Sequence, residues 1–193
     1  MLGEPLRIER EIIERCQRGD SEAFRWLVDR YGDLAYRTAY FMVYDRQQAE
    51  DITQEAFLDA WRGIKGFKVG YSFKPWFLKI VVNRCRMQKR HRVVPTVSLE
   101  RVEPKRVATG ARAADEAVAS GESRQLVREA IASLEEDQRS VIMLRYFAEL
   151  TVPEIAQVLS LPEGTVKSRL HRAMQRLRHR LSPLMGFEIG RPI

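Results

Sequence analysis

Across residues 8–92 the apolar side chains recur at helical spacings, with no clean stretch of the period-two alternation that a strand requires. This pattern confines the chain to an all-α architecture, and after a break it returns over residues 122–181. Between the two blocks aromatics vanish, and Pro95, Pro104, Gly110 and Gly121 punctuate an Ala-, Val- and Arg-rich stretch with little to bury. The reading is therefore two small helical domains, 8–92 and 122–182, joined by a flexible linker, 93–121. Pro183, Gly186, Gly190 and Pro192 mark 183–193 as an irregular tail.

Composition narrows the partners. The 193 residues carry a formal charge of +7, which suggests an anionic partner, and a hydrophobic fraction of 45% excludes a disordered chain. The longest unbroken apolar run, 39–44, is too short to span a membrane, and the mixed charge near the amino terminus excludes a signal peptide. The expected compartment is the cytoplasm, where Cys16 and Cys85 would be reduced thiols. They lie far apart without a His partner, and no carboxylate or Cys completes a site with His171 and His179, so no metal or cofactor is expected.

The second block carries specific helix signals. Ser133 with Glu136, and Thr151 with Glu154, match the capping-box pattern at the start of two helices. A turn at Ser160, Leu161 and Pro162 leads into a basic helix, so the pair predicts a helix-turn-helix. In that last helix Val166, Leu170, Ala173 and Leu177 share the packed face. Gly164, Ser168, His171, Arg172 and Gln175 point outward, with Thr165, Lys167, Arg169 and Arg176 on the flanks. Polar groups near the helix start could reach base edges in a major groove, and the arginines could hold phosphates.

The first block carries two faces of opposite sign. Residues 45–59 hold five acids and one base; on a helix there, Ala49, Ile52, Ala56, Ala60 and Ile64 face inward, while Asp51, Gln54, Glu55 and Leu58 face out. A leucine ringed by acids suits a small protein-docking site. Residues 66–92 hold eight Lys/Arg, no acid and five interleaved aromatics. Phe73 and Phe77 read as core; Phe67, Lys68, Trp76, Lys79, Asn83, Arg86 and Arg90 read as contacts for single-stranded nucleic acid, and the 63–71 loop as part of a pocket for a flipped base.

Together these residues resemble one family, the extracytoplasmic-function class of bacterial RNA polymerase sigma factors. The stretch 49–62 resembles the family's polymerase-binding helix; Phe73, Trp76, Phe77, Leu78, Ile80 and Asn83 resemble its minus-ten helix; and 164–170, with Arg172 and Ala173, resembles its minus-thirty-five recognition helix. Glu135, where the family often has proline, and His171 depart from the pattern. The resemblance implies a non-enzymatic initiation factor that binds core RNA polymerase. Asp51, Gln54 and Glu55 would dock on the clamp helices of the largest subunit, and the second domain on the flap. The basic face with Asn83 would hold the melted non-template strand, while Thr165, Lys167, Ser168, His171 and Arg172 would contact the upstream element. The linker would thread through the polymerase, and an anti-sigma factor would hold the protein inactive. A helix-turn-helix regulator acting alone on duplex DNA is the alternative, but it gives no reason for the acidic helix or the aromatic-basic stretch. A nucleic-acid enzyme such as a recombinase would need a catalytic Ser, Tyr or carboxylate cluster, and none is evident.

Overall fold

The computed structural model describes residues 4–93 and 118–185, and every regular element among them is helical. The first block holds α1 (Glu4–Gln17), α2 (Ser21–Val43), α3 (Arg46–Gly63) and α4 (Phe73–Val93). The second holds α5 (Val118–Ala132), α6 (Glu136–Ile142), α7 (Val152–Leu159) and α8 (Glu163–Met185). Most of the expected linker, 94–117, lies outside the described residues. Its margins are helical: α4 runs to Val93 and α5 begins at Val118. The tail also begins later than expected, because α8 continues past Pro183 to Met185. A proline this close to a helix end forgoes a single backbone donor and need not end it at once. Residues 186–193 lie outside the described residues.

Local chemistry sets the helix boundaries. Asp20 caps α2 by accepting from the Ala23 amide at 3.0 Å, and Asp45 caps α3 by accepting from the Gln48 amide at 3.0 Å. Between α2 and α3 the chain reverses through Tyr44, which adopts the left-handed conformation at φ 54°. The Thr151–Glu154 capping box forms in full at the start of α7. The Ser133 box does not form: Ser133 directly follows the last residue of α5 and closes its final turn, its amide donating to the Glu129 carbonyl and its hydroxyl to the Ala130 carbonyl. Glu135 takes the cap position of α6 without a side-chain cap bond.

In the first block α2, α3 and α4 pack against one another, with α1 laid along α2. The inward stripe read on α3 is buried throughout, and its alanines Ala49, Ala56 and Ala60 are fully enclosed. The aromatic centre is Phe73 and Phe77, both at 0% exposure, with Phe57 4.5 Å from Phe77 between ring centroids and Tyr31 5.3 Å from Phe73. In the second block α8 packs on α6 and α7 through buried Val166 and Ala173, with Leu170 and Leu177 partly buried beside them.

The two blocks share one continuous apolar core. Val141, Leu144, Leu150, Ile155 and Val158 join the cluster that contains Phe73, Phe77 and Val81. Helix α7 lies on α4, and the Phe41 and Phe147 rings meet at 5.8 Å. Arg139 sits over the Tyr44 ring at 4.4 Å. Polar contacts cross the same junction: Arg86 Nη2 donates to the Leu159 carbonyl at 3.1 Å, and Lys89 pairs with Glu136 at 2.7 Å.

Candidate docking and nucleic-acid surfaces

Helix α3 presents Asp51, Gln54, Glu55 and Leu58 together on its outer face, all exposed, Leu58 at 55%. With Ile52 and Gln88 of α4 they border a shallow open depression of about 240 Å³. The acids are not all free. Arg84 reaches across from α4 and pairs with Glu55 at 2.9 Å, and also binds Asp59 through Nε and Nη2. Arg84 therefore belongs to the acidic face, although a charge count along α4 places it with the cations expected to meet nucleic acid. Its partners lie a whole helix upstream, where no local pattern could reveal them.

The outer face of α4 carries Lys79, Asn83 and Arg90 exposed, with Arg86 half-buried through its bond to Leu159. Lys68 is exposed on the preceding loop. Phe67 corrects the sequence expectation: at 6% exposure it is core rather than a stacking platform. Gln17 Nε2 donates to the Ile64 and Phe67 carbonyls at 3.0 and 2.7 Å, fixing the root of the loop. The Phe67 ring turns inward onto Phe73 and Trp76, at centroid distances of 6.0 and 5.1 Å. Trp76 is half-buried against it and lies beside Gly63. The loop aromatic that does reach solvent is Tyr71, at 72% exposure. It follows Gly70, whose φ of 115° suits glycine and turns the chain outward. The sequence signal was that Gly–Tyr pair.

Helix α8 begins where Pro162 accepts from the Thr165 and Val166 amides. Gly164 meets open space; Lys167, His171 and Arg172 are exposed, and Thr165 and Ser168 half-buried. Arg172 Nη2 lies 3.5 Å from the Ser168 hydroxyl, which donates to the Thr165 carbonyl at 3.0 Å. Two expected phosphate contacts are already paired within the protein. Arg169 binds Asp137 at 2.6 Å with its side chain only 22% exposed, and Arg176 binds Glu135 at 2.8 Å. With Lys89–Glu136, three consecutive acids of the α6 entry each hold a cation from α4 or α8.

Cys16 and Cys85 are free and buried, and burial pushes their thiols up to about 11 and about 12. Among the described residues no helix is long and apolar enough to cross a membrane.

An all-helical protein whose second block carries a helix-turn-helix falls in the class of helix-turn-helix DNA-binding proteins. Residues 27–93 match the family model for Sigma-70 region 2, and residues 124–177 match that for Sigma-70, region 4. The chain is 36% identical over 181 residues to the ECF RNA polymerase sigma factor SigW of Bacillus subtilis, covering 89% of this chain and 96% of that protein. It is 32% identical over 181 residues to the ECF RNA polymerase sigma-E factor of Escherichia coli K12, covering 90% and 94%. The chain belongs to the extracytoplasmic-function family of RNA polymerase sigma factors. The fold also matches CnrH, solved with the cytosolic domain of CnrY (TM-score 0.67, 23% identity, covering 91% of this chain and 98% of that one). It matches the sigma factor RpoE of Bartonella quintana, solved with the anti-sigma factor NepR, equally well (TM-score 0.67, 24% identity, covering 82% and 96%).

Proposed function

We propose that this sigma factor brings core RNA polymerase to promoters by dividing three contacts among three helices. Asp51, Gln54, Glu55 and Leu58 dock on the clamp helices of the largest subunit. Lys68, Trp76, Lys79, Asn83, Arg86 and Arg90 hold the minus-ten segment as melted non-template strand, with the 63–71 loop receiving a flipped base. Gly164, Thr165, Lys167, Ser168, His171 and Arg172 read the minus-thirty-five element, and Arg169 and Arg176 stand beside it. The working units are 8–92 and 122–182; 93–121 threads through the polymerase between them, and the second unit rests on the flap.

The observation that carries this reading is the opposition of charge on one small core. Exposed acids around Leu58 on α3 suit a cationic protein surface, while exposed cations on α4 suit a nucleic-acid backbone. A regulator acting alone on duplex DNA needs only the second. Strand opening draws on binding energy for unstacked bases, and bond-making belongs to the polymerase, so the factor itself is no enzyme. Its place of work is the cytoplasm, with the polymerase. CnrH and RpoE are each solved with a bound protein partner, and an anti-sigma factor is the expected regulator here too.

Run-off transcription by core polymerase on a panel of promoters, with and without the protein, tests the proposal. New start sites that depend on the added factor are expected. No start site, combined with tight specific binding of duplex by the protein alone, would sink it.

A further inference from the structure

Arg84 stands apart from the other cations of α4. Its side chain is 25% exposed and crosses to α3, where Nε and Nη2 both meet Asp59 Oδ2 and Nη1 meets Glu55 Oε2 at 2.9 Å. The Asp59 hydrogen bond is the main cause that holds the guanidinium's pKa above its ordinary value. Asp59 thus engages two of the five guanidinium N–H groups, while also standing 3.6 Å from Arg62 Nη1, and a third N–H, on Nη1, orients Glu55. The Glu55 side chain is 54% exposed and borders the same depression as Asp51, Gln54, Leu58 and Gln88.

We propose that Arg84 is a positioning residue of the docking face: it holds Glu55 ready for a cation of the polymerase, while Asp59 keeps Arg84 from cancelling the Glu55 charge. The inference rests on the docking role proposed above for Glu55. A glutamate that is free beforehand must be ordered on binding, and holding it in advance recovers about two- to tenfold in affinity. Only a planar fork grips two carboxylates in fixed geometry, so lysine is a poor substitute despite its charge.

The test measures affinity of the full chain for core polymerase, with melting temperatures alongside. Arg84→Gln and Arg84→Lys are each made in the wild-type and Glu55→Gln backgrounds. Both are expected to lose about two- to tenfold in the wild-type chain and nothing further once Glu55 is Gln. Equal losses in the two backgrounds overturn the proposal. So does unchanged core affinity, or a defect confined to promoter affinity of the assembled holoenzyme. If Arg84→Gln fails to fold, Asp59→Asn should give the same Glu55-dependent loss, because the guanidinium then cancels the Glu55 charge. Wild-type core affinity in Glu55→Gln sinks the docking role itself, whereas a Glu55→Gln loss that simply adds to the Arg84 loss sinks only the positioning.

Discussion

Asp20 joins α1 to α2 through a single carboxylate. One oxygen accepts from the Ala23 amide at 3.0 Å as the cap of α2, and the other receives Arg15 Nε at 2.9 Å. The cap bond first, and the arginine next, hold its pKa below the ordinary carboxylate value. A carboxyl whose folded pKa is depressed adds stability that is complete above its unfolded pKa and is lost as pH falls through the folded one. Asp20→Asn keeps a capping oxygen but loses the ion pair, so its melting temperature should fall slightly below wild type at pH 7. The gap should close as pH drops through the acid range, and a gap that persists there would place the effect elsewhere. Single residues were also where the sequence was least legible. Phe67 sits outside any helical period, so nothing local distinguished a loop aromatic turned inward by Gln17 from one held out to solvent. The sign of Arg84 was plain, but its partners at Asp59 and Glu55 were not.

Helical elements were far more legible, because a buried stripe repeats and each repeat checks the last. Every inward position read on α3 is enclosed, as are Val166 and Ala173 on α8. Capping signatures were less reliable, since the pattern cannot tell whether the preceding helix has yet ended. At Ser133 its final turn was still closing, with the amide on Glu129 and the hydroxyl turned back to Ala130. At Thr151 it had ended: the Thr151 amide donates to the Glu154 carboxylate at 2.7 Å and the Glu154 amide faces the Thr151 hydroxyl. Thr151→Ala should therefore cost about 1 kcal/mol of stability. Amide hydrogen exchange should quicken first in α7, the helix that supports the turn into α8. Uniform quickening across all helices would show that the box does not act locally.

At the scale of the molecule, two helical blocks were expected from the sequence, but their shared core was not. Periodicity shows which face of a helix is buried without naming what covers it. The covering is partly mutual, with α7 on α4. In this packing Arg86 is engaged by the Leu159 carbonyl and Lys89 by Glu136, so the DNA face proposed for α4 is complete only when the junction parts. The junction also holds costs: Gln138 Oε1 and Arg139 Nε are buried without a hydrogen-bond partner among the described residues. Glu136→Lys places two ammonium groups where an ion pair stood. The radius of gyration from small-angle scattering should rise in that variant, and an unchanged radius would show that apolar packing alone holds the blocks together.

The three consecutive acids that open α6 carry a thermodynamic consequence. Each holds a cation from a helix proposed to face DNA: Arg176, Lys89 and Arg169 in turn. A phosphate that takes such a cation displaces a carboxylate, which must then gather counterions of its own from solution. On the proposed DNA contacts, fewer ions are released overall than the number of phosphates contacted, so the salt exponent of promoter binding is expected to fall short of the count of basic residues at the interface. A factor built to that proposal moderates its own sensitivity to ionic strength.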